Sequence, residues 1–175
     1  DVERESLLNI TLVQALQSGD KMDFTIQKAV ELGVRDIVPV ESRRSVLRLA
    51  GERAGKRVAH WQGVVASACE QCGRNQVPLV APLEKLENWL ARPANGVLRL
   101  MLAPDAEETL ASIQPHGAVQ LLIGAEGGLD PQEVIAAKQA GFQSVRMGPR
   151  ILRTETAGLA AMAALQTLWG DFREG

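Results

Sequence analysis

A glycine-rich loop and a polar loop later in the chain carry the residues best suited to chemistry. Residues 124–131 read Gly-Ala-Glu-Gly-Gly-Leu-Asp-Pro and join an apolar run to a well-marked helix start. Glycines in such a turn let the backbone approach a bound molecule closely. The loop has neither the G-x-G-x-x-G spacing of a dinucleotide site nor the Gly-Lys-Ser/Thr ending of a phosphate loop. Because Glu126 would repel a phosphate, a neutral or cationic ligand fits better, unless the glycines serve only to reverse the chain.

The polar loop places two arginines, an acid and two hydroxyls around another helix start. It occupies residues 147–158 and includes Arg150, Arg153 and Glu155. Folding rarely needs such a cluster, so the loop is a candidate functional site. A purely structural explanation would make Thr154 a helix N-cap, let Glu155 complement the helix dipole and leave the arginines solvated.

Alternating strand and helix patterns predict an α/β fold, a mostly parallel sheet with helices on both faces. The predicted strands cover residues 9–15, 36–40, 97–102, 119–123 and 144–147. The predicted helices run from Asp20 to Gly33, over residues 51–72 and 83–90, from an Asp105/Glu108 capping box, from Asp130 to Gly141, and over residues 154–169. Such sheets bind ligands outside the carboxyl ends of their strands, so the loops after Leu102, Ile123 and Met147 form the candidate site.

Charge and composition limit the partners of this 175-residue chain. With 19 basic and 21 acidic residues the net charge is −2, so binding to nucleic acid requires a local patch. Residues 41–57 contain six basic and two acidic side chains, a local excess of four positive charges. This stretch is either a phosphate-contacting surface or an ordinary solvated helix face.

The cysteine and histidine content predicts neither a metal site nor a redox site. Cys69 and Cys72 form a C-x-x-C at the end of a helical pattern, where the helix dipole disfavours a thiolate. His60 and His116 lie in other segments and have no further cysteine pair to complete a zinc site. No apolar stretch approaches the ~20 residues that span a membrane, which predicts a soluble, cytoplasmic protein.

Four segments, in order along nearly the whole chain, closely resemble the RsmE family, the ribosomal RNA small-subunit (uracil-N3) methyltransferases of the SPOUT superfamily. They are Lys21-Met-Asp-Phe-Thr-Ile-Gln-Lys28 with Glu31-Leu-Gly33, Ala68-Cys-Glu-Gln-Cys-Gly-Arg-Asn75 with Val77-Pro78, Leu121-Leu-Ile-Gly-Ala-Glu-Gly-Gly128, and Gly148-Pro-Arg-Ile-Leu-Arg-Thr-Glu-Thr-Ala157. One departure is Ala125, where the family usually has proline. The loss of proline is expected to loosen this turn without removing side-chain chemistry.

The resemblance implies a SPOUT fold with a deep trefoil knot in its C-terminal part, an obligate homodimer and S-adenosylmethionine as the cofactor. It implies 16S ribosomal RNA, or the small ribosomal subunit, as the substrate. The family also carries an N-terminal PUA-like RNA-binding domain, so residues 1–175, which begin at Asp1, are expected to be the methyltransferase domain without it.

The resemblance also assigns site residues. Those implied to bind the cofactor are Ala103, Pro104, Ile123, Gly124, Glu126, Gly127, Gly128, Met147, Gly148, Pro149, Ile151 and Leu152. The residues expected to contact RNA are Arg43, Arg44, Glu70, Gln71, Arg74, Asn75 and Arg150. On the family's pattern, Glu70, Gln71, Arg74 and Asn75 line the RNA side of the cleft and are able to reach a partner subunit's site. For residues 69–75, simple helix termination is an equal alternative.

Methyl transfer to uridine N3 requires loss of the imide proton, so the enzyme should either remove that proton or stabilise negative charge on O2 and O4. We expect Arg153 to stabilise that charge and Glu155, or less readily Glu70, to accept the proton. A SPOUT enzyme acting on another RNA nucleotide and a non-catalytic RNA-binding module remain alternatives, although the second leaves both loops unexplained. A nucleotide-dependent oxidoreductase is disfavoured because residues 16–20, after the first strand, lack the dinucleotide fingerprint.

Overall fold

The sheet is built from strands whose residues are mostly apolar and buried. The computed structural model describes residues 2–173. Its strands are β1 (Asn9–Ala15), β2 (Asp36–Glu41), β3 (Leu79–Val80), β4 (Glu84–Lys85), β5 (Leu98–Leu102), β6 (Ala118–Ile123) and β7 (Gln143–Val145). They lie in the order β3-β2-β1-β6-β5-β7, with β4 also paired to β2, and every pairing is parallel. The predicted mostly parallel sheet is therefore confirmed.

Helices cover both faces of this sheet. They are α1 (Lys21–Glu31), α2 (Gly51–Cys72), α3 (Leu86–Leu90), α4 (Pro131–Gln139) and α5 (Thr154–Trp169). Neighbouring residues of a strand point to opposite faces. In β1, Leu12 therefore joins a core with α1, α2 and α5, whereas Val13 joins a second core with α3 and α4.

Two predicted helix starts are wrong, in both cases because strand pairing replaces the local signal. The helix predicted from residue 83 begins at Leu86, since Glu84 and Lys85 pair with β2. The helix predicted from Asp105 is absent within the described chain; only a short 3₁₀ turn, Leu110–Ser112, follows. The Glu108 carbonyl accepts a hydrogen bond from Arg146 N at 2.9 Å, which holds this segment extended.

The strand predicted over residues 144–147 is Gln143–Val145, so it starts one residue earlier and ends two residues earlier than predicted. The start of α4 is as predicted: the Asp130 side chain accepts a hydrogen bond from Gln132 N, and the Glu133 carboxylate accepts one from Asp130 N. Because all strands are parallel, their carboxyl ends lie along one edge of the sheet, and the loops that follow them are neighbours.

Candidate active site

The three loops singled out from the sequence meet at the carboxyl edge of the sheet. The loops after β5 and β7 are joined by backbone bonds, from Ala103 N to Val145 O at 2.9 Å and from Leu110 N to Arg146 O at 3.1 Å. The glycine-rich loop after β6 contacts the start of α5, because the Thr154 hydroxyl donates to the Gly124 carbonyl at 2.6 Å. Segments far apart in sequence thus form one rim.

The glycine-rich loop is a tight turn that leaves no space for a side chain at Gly124. A Cβ atom there would lie 3.0 Å from the carbonyl carbon of Gly128 and 3.1 Å from Leu129 N. The turn is closed by a bond from Gly128 N to the Ala125 carbonyl at 2.9 Å. Gly128 has φ of +72°, a conformation that favours glycine. Backbone contacts therefore close the turn from Gly124 to Gly128, even though Ala125 replaces the family's usual proline.

Glu126 of this loop is engaged by the loop after β1. Its carboxylate accepts hydrogen bonds from Ser18 N at 2.8 Å and Ser18 Oγ at 2.9 Å, and Lys21 Nζ lies 3.8 Å away. Burial raises the pKa of Glu126, but the Ser18 hydrogen bonds and the Lys21 charge outweigh it, so the pKa lies below its ordinary value of 4.5. The family resemblance implies Glu126 at the cofactor, and no local signal in the sequence points to Ser18 as its partner.

We expect the substitution Glu126→Gln to weaken the dependence of stability on acid pH. A carboxylate whose pKa is lower in the folded state stabilises that state above the unfolded pKa, and this contribution is lost as the pH falls through the folded pKa. Urea unfolding measured between about pH 6 and pH 3 should therefore show a smaller loss of unfolding free energy in Glu126→Gln than in the wild type. Glu107→Gln, at an exposed acid in the loop after β5, should behave as wild type. Parallel pH curves for Glu126→Gln and wild type would contradict this role.

The loop after β7 presents apolar and basic side chains to solvent. Gly148, with φ of +70°, turns the chain. Pro149 and Arg150 are exposed, Ile151 is 82% exposed and Leu152 is half-buried. An exposed isoleucine beside a partly covered leucine at a sheet rim provides an apolar surface for a ligand.

The first turn of α5 carries the two predicted catalytic groups. Arg153 is the N-cap residue and is exposed, while Glu155 is half-buried. The Glu155 Oε2 atom is buried and has no hydrogen-bond partner within residues 2–173. The expectation that Thr154 caps the helix is wrong: Thr154 is the first helical residue, and its hydroxyl bonds to Gly124 instead.

The predicted RNA-contacting residues at the end of α2 lie at the opposite edge of the sheet. Helix α2 starts after the carboxyl end of β2 and ends before β3, and its 22 residues span about 33 Å. Glu70, Gln71 and Asn75 are exposed there. Glu70 therefore lies at the edge of the sheet opposite the rim of its own chain.

Arg74, also expected to contact RNA, is engaged in a largely buried ion pair within this chain. Its side chain is 6% exposed and pairs with Glu5, whose side chain is 11% exposed, at 2.5 Å from Nη2 to Oε2. The Arg74 Nη1 atom also donates to the Val30 carbonyl at 3.0 Å. Burial raises the pKa of Glu5, but the hydrogen bond from Arg74 and its positive charge outweigh that effect. The pKa of Glu5 therefore lies below its ordinary value of 4.5.

Arg43 and Arg44 reach the glycine-rich loop and helix α4. Arg43 pairs with Glu87 at 2.5 Å and with Asp130 at 3.4 Å. Arg44 Nη1 donates to the Gly127 carbonyl at 3.0 Å. Both side chains lie beside the rim and remain partly exposed. Some of their N–H donors are already bonded to other groups of the chain.

Within residues 2–173, no helix is long and apolar enough to cross a membrane. The same range contains no cluster of three or more histidine, cysteine or acidic side chains arranged to hold a metal ion. Cys69 is buried and Cys72 half-buried, both as free thiols.

Comparison with known proteins agrees with this geometry. A family model described as an RNA methyltransferase domain matches residues 3–166. The chain is 40% identical, over 168 residues, to the ribosomal RNA small subunit methyltransferase E of Buchnera aphidicola subsp. Schizaphis graminum, covering 95% of this chain and 68% of that protein. It is 32% identical to the Bacillus subtilis protein of the same name, covering 93% and 67%. The chain thus spans about two thirds of these relatives.

Solved structures match as closely. The ribosomal RNA small subunit methyltransferase E of Neisseria gonorrhoeae, bound to S-adenosyl methionine, superposes with a TM-score of 0.93 at 53% identity, covering 98% of this chain and 71% of that one. A putative methyltransferase of Legionella pneumophila in complex with the same cofactor gives 0.91 at 38% identity, covering 97% and 70%. Because sequence and fold agree over nearly its whole length, the chain belongs to the ribosomal RNA small subunit methyltransferase E family.

Proposed function

We propose that this chain transfers a methyl group from S-adenosylmethionine to N3 of a uridine in 16S ribosomal RNA. The observation that carries the proposal is the convergence of the glycine-rich loop, the loop after β7 and the start of α5 at one rim. Relatives that share this rim's fold have been solved with S-adenosylmethionine.

The residues of the rim fit such a cofactor. Glycine at 127 and 128 lets a ligand come close to the backbone of this loop, although the Gly124 and Gly127 carbonyls already accept hydrogen bonds from Thr154 and Arg44. Ile151 and Leu152 offer an apolar wall for an adenine ring. The other residues proposed to line the pocket are Ala103, Pro104, Ile123, Met147, Gly148 and Pro149. Glu126 contributes by holding the glycine-rich loop against Ser18.

The sulfonium of S-adenosylmethionine supplies an activated methyl group, and the protein's part is to prepare the uridine nitrogen. The N3 proton must leave, and the charge that develops spreads to O2 and O4. Arg153, exposed at the rim, provides guanidinium donors for that charge. Glu155 is half-buried and its Oε2 atom makes no hydrogen bond to another described residue, so its carboxylate is not committed to another partner and is the proposed acceptor of the N3 proton.

The RNA and a second copy of the chain complete the proposal. Arg150, Arg43 and Arg44 border the rim with exposed guanidinium groups, which suit phosphates. We propose a homodimer in which the exposed Glu70, Gln71 and Asn75 serve the partner's rim, because they are too far from their own. The return of the chain from β7, at one side of the sheet, to α5 over β1 and β6 supports a trefoil knot. A cytoplasmic location follows from a ribosomal substrate.

We expect Gly124→Ala to weaken cofactor binding. The added Cβ would press on the backbone of Gly128 and Leu129, so the turn must open. Isothermal titration calorimetry should give a Kd for S-adenosylmethionine raised about tenfold or more, which corresponds to roughly 1.4 kcal/mol. Gly63→Ala, in open space on α2, should leave the Kd unchanged and raise stability by about 0.5–1 kcal/mol. An unchanged Kd in Gly124→Ala would remove this loop from the cofactor site.

The proposed activity is tested with small ribosomal subunits whose 16S RNA lacks the modification. The chain is incubated with these subunits and S-adenosylmethionine, and the nucleosides are analysed by mass spectrometry. The proposal requires 3-methyluridine. A different methylated nucleoside would replace the substrate assignment, while no methylation together with no heat of cofactor binding would indicate a non-catalytic RNA-binding module.

A further inference from the structure

A small polar cluster lies inside the otherwise apolar region beneath the rim. Gln14, at the end of β1, and Gln17, just after it, are each 0% exposed, and Thr154 is 7% exposed. Both glutamine Nε2 atoms donate to the Thr154 hydroxyl, at 3.1 Å from Gln14 and 3.2 Å from Gln17. The hydroxyl itself donates to the Gly124 carbonyl at 2.6 Å.

The bonding capacity of the Thr154 hydroxyl is completely used. A hydroxyl has one hydrogen and two lone pairs. The hydrogen goes to Gly124, and the two lone pairs receive the two glutamine amides. The orientation of the Gln14 amide is fixed independently, because its Nε2 also donates to the Ala15 carbonyl at 3.0 Å. One oxygen atom therefore joins three parts of the chain.

The joined parts are the ones that must be aligned for methyl transfer. Gly124 begins the glycine-rich loop, and Thr154 stands between Arg153 and Glu155. Gln14 belongs to the central strand β1 and Gln17 to the loop after it, 140 and 137 residues away from Thr154 in sequence. Burying this many polar groups costs free energy unless they are paired, and the Oε1 atoms of Gln14 and Gln17 remain unpaired within the described residues. A core that needed only stability would be apolar here.

We propose that Thr154 is a positioning residue for methyl transfer, and that it acts through Gln14 and Gln17. The cluster fixes the first turn of α5 relative to the glycine-rich loop, so that Arg153 and Glu155 face the methyl donor. This inference rests on the proposed function of the rim. It adds residues that do not touch the substrate but determine where the catalytic groups lie.

The test compares Thr154→Val, which keeps the shape and removes the hydroxyl, with Thr154→Ser, which keeps the hydroxyl. Because misplacement of about 1 Å costs up to 100-fold in rate, we expect Thr154→Val to lower kcat about 30-fold. The Kd for S-adenosylmethionine should change less than about threefold, since the turn of the glycine-rich loop is closed by its own bonds. Thr154→Ser should recover most of the lost kcat. Thr167→Val provides the matched control, because its hydroxyl bonds only to Ala163 of the same helix and is exposed.

A double-mutant cycle tests the route through Gln17. If Thr154 acts through the glutamine amide, Thr154→Val combined with Gln17→Met should lower kcat little more than Thr154→Val alone. Multiplicative losses would overturn that route. A purely structural role would lower the midpoint of thermal unfolding in Thr154→Val while leaving the kcat of the folded protein unchanged, and this result would overturn the proposal.

Amide hydrogen exchange of the cofactor-bound protein separates this inference from the proposed function. Exchange in residues 154–158 should be at least about tenfold faster in Thr154→Val than in wild type or Thr154→Ser. This readout does not depend on which nucleotide is methylated. Wild-type protein that methylates another nucleotide would disprove the uridine assignment, whereas unchanged exchange in Thr154→Val would disprove the positioning role.

Discussion

Arg153→Ala should lower kcat for RNA methylation about 100- to 1,000-fold, the usual effect of removing one donor to a developing oxyanion. Arg153 is exposed at the N-cap of α5, so its loss removes donors without opening a cavity. The Kd for S-adenosylmethionine should stay within about threefold of wild type, because the charge it stabilises exists only during methyl transfer. Single-turnover methylation and calorimetry measure the two quantities separately.

The matched control for this change is Arg35→Ala. Arg35 is an exposed arginine just before β2, at the amino edge of the sheet. Its loss should leave both kcat and the cofactor Kd at wild-type values. If Arg153→Ala weakened cofactor binding as much as it lowered kcat, Arg153 would be a cofactor residue and the charge on the uridine would need another donor.

Arg74→Ala should lower the free energy of unfolding by about 3–5 kcal/mol, because it leaves the Glu5 carboxylate buried without its partner. The two side chains are 6% and 11% exposed, so little solvent replaces the lost pair. Urea unfolding at neutral pH measures the difference. The exposed pair Arg92–Glu84 supplies the control: its arginine side chain is 63% exposed, and Arg92→Ala should cost no more than about 1 kcal/mol.

The cost of Arg74→Ala should shrink in acid. In the wild type the pKa of Glu5 lies below 4.5, so the stability from this pair is present above the unfolded pKa and is lost as the pH falls through the folded pKa. In Arg74→Ala, burial without the positive charge raises the pKa of Glu5, and the neutral carboxyl is easier to bury. A stability difference that is the same at neutral and acid pH would contradict an ion pair as its source.

Local signals were sufficient for most of the fold. The apolar runs of β1 and β6 and the Asp130 start of α4 appear in the sequence because they depend on neighbouring residues alone. The helix predicted from the Asp105/Glu108 capping box does not form, because a capping box starts a helix only where no other structure satisfies the same backbone groups. Pairing of this segment with Arg146, more than 35 residues later, satisfies the same backbone groups in an extended form.

The sequence motifs and their order placed the two loops at one rim and indicated the methyltransferase family. This was possible because the residues that form each loop are consecutive in the sequence. Only the tertiary structure decided which polar side chains remain available there. It joined Glu126 to Ser18, Arg74 to Glu5 and Thr154 to Gln14 and Gln17. The physical reason is that a hydrogen bond or ion pair depends on distances of about 3 Å between atoms. When the partners are more than 60 residues apart, the packing of the whole sheet sets those distances.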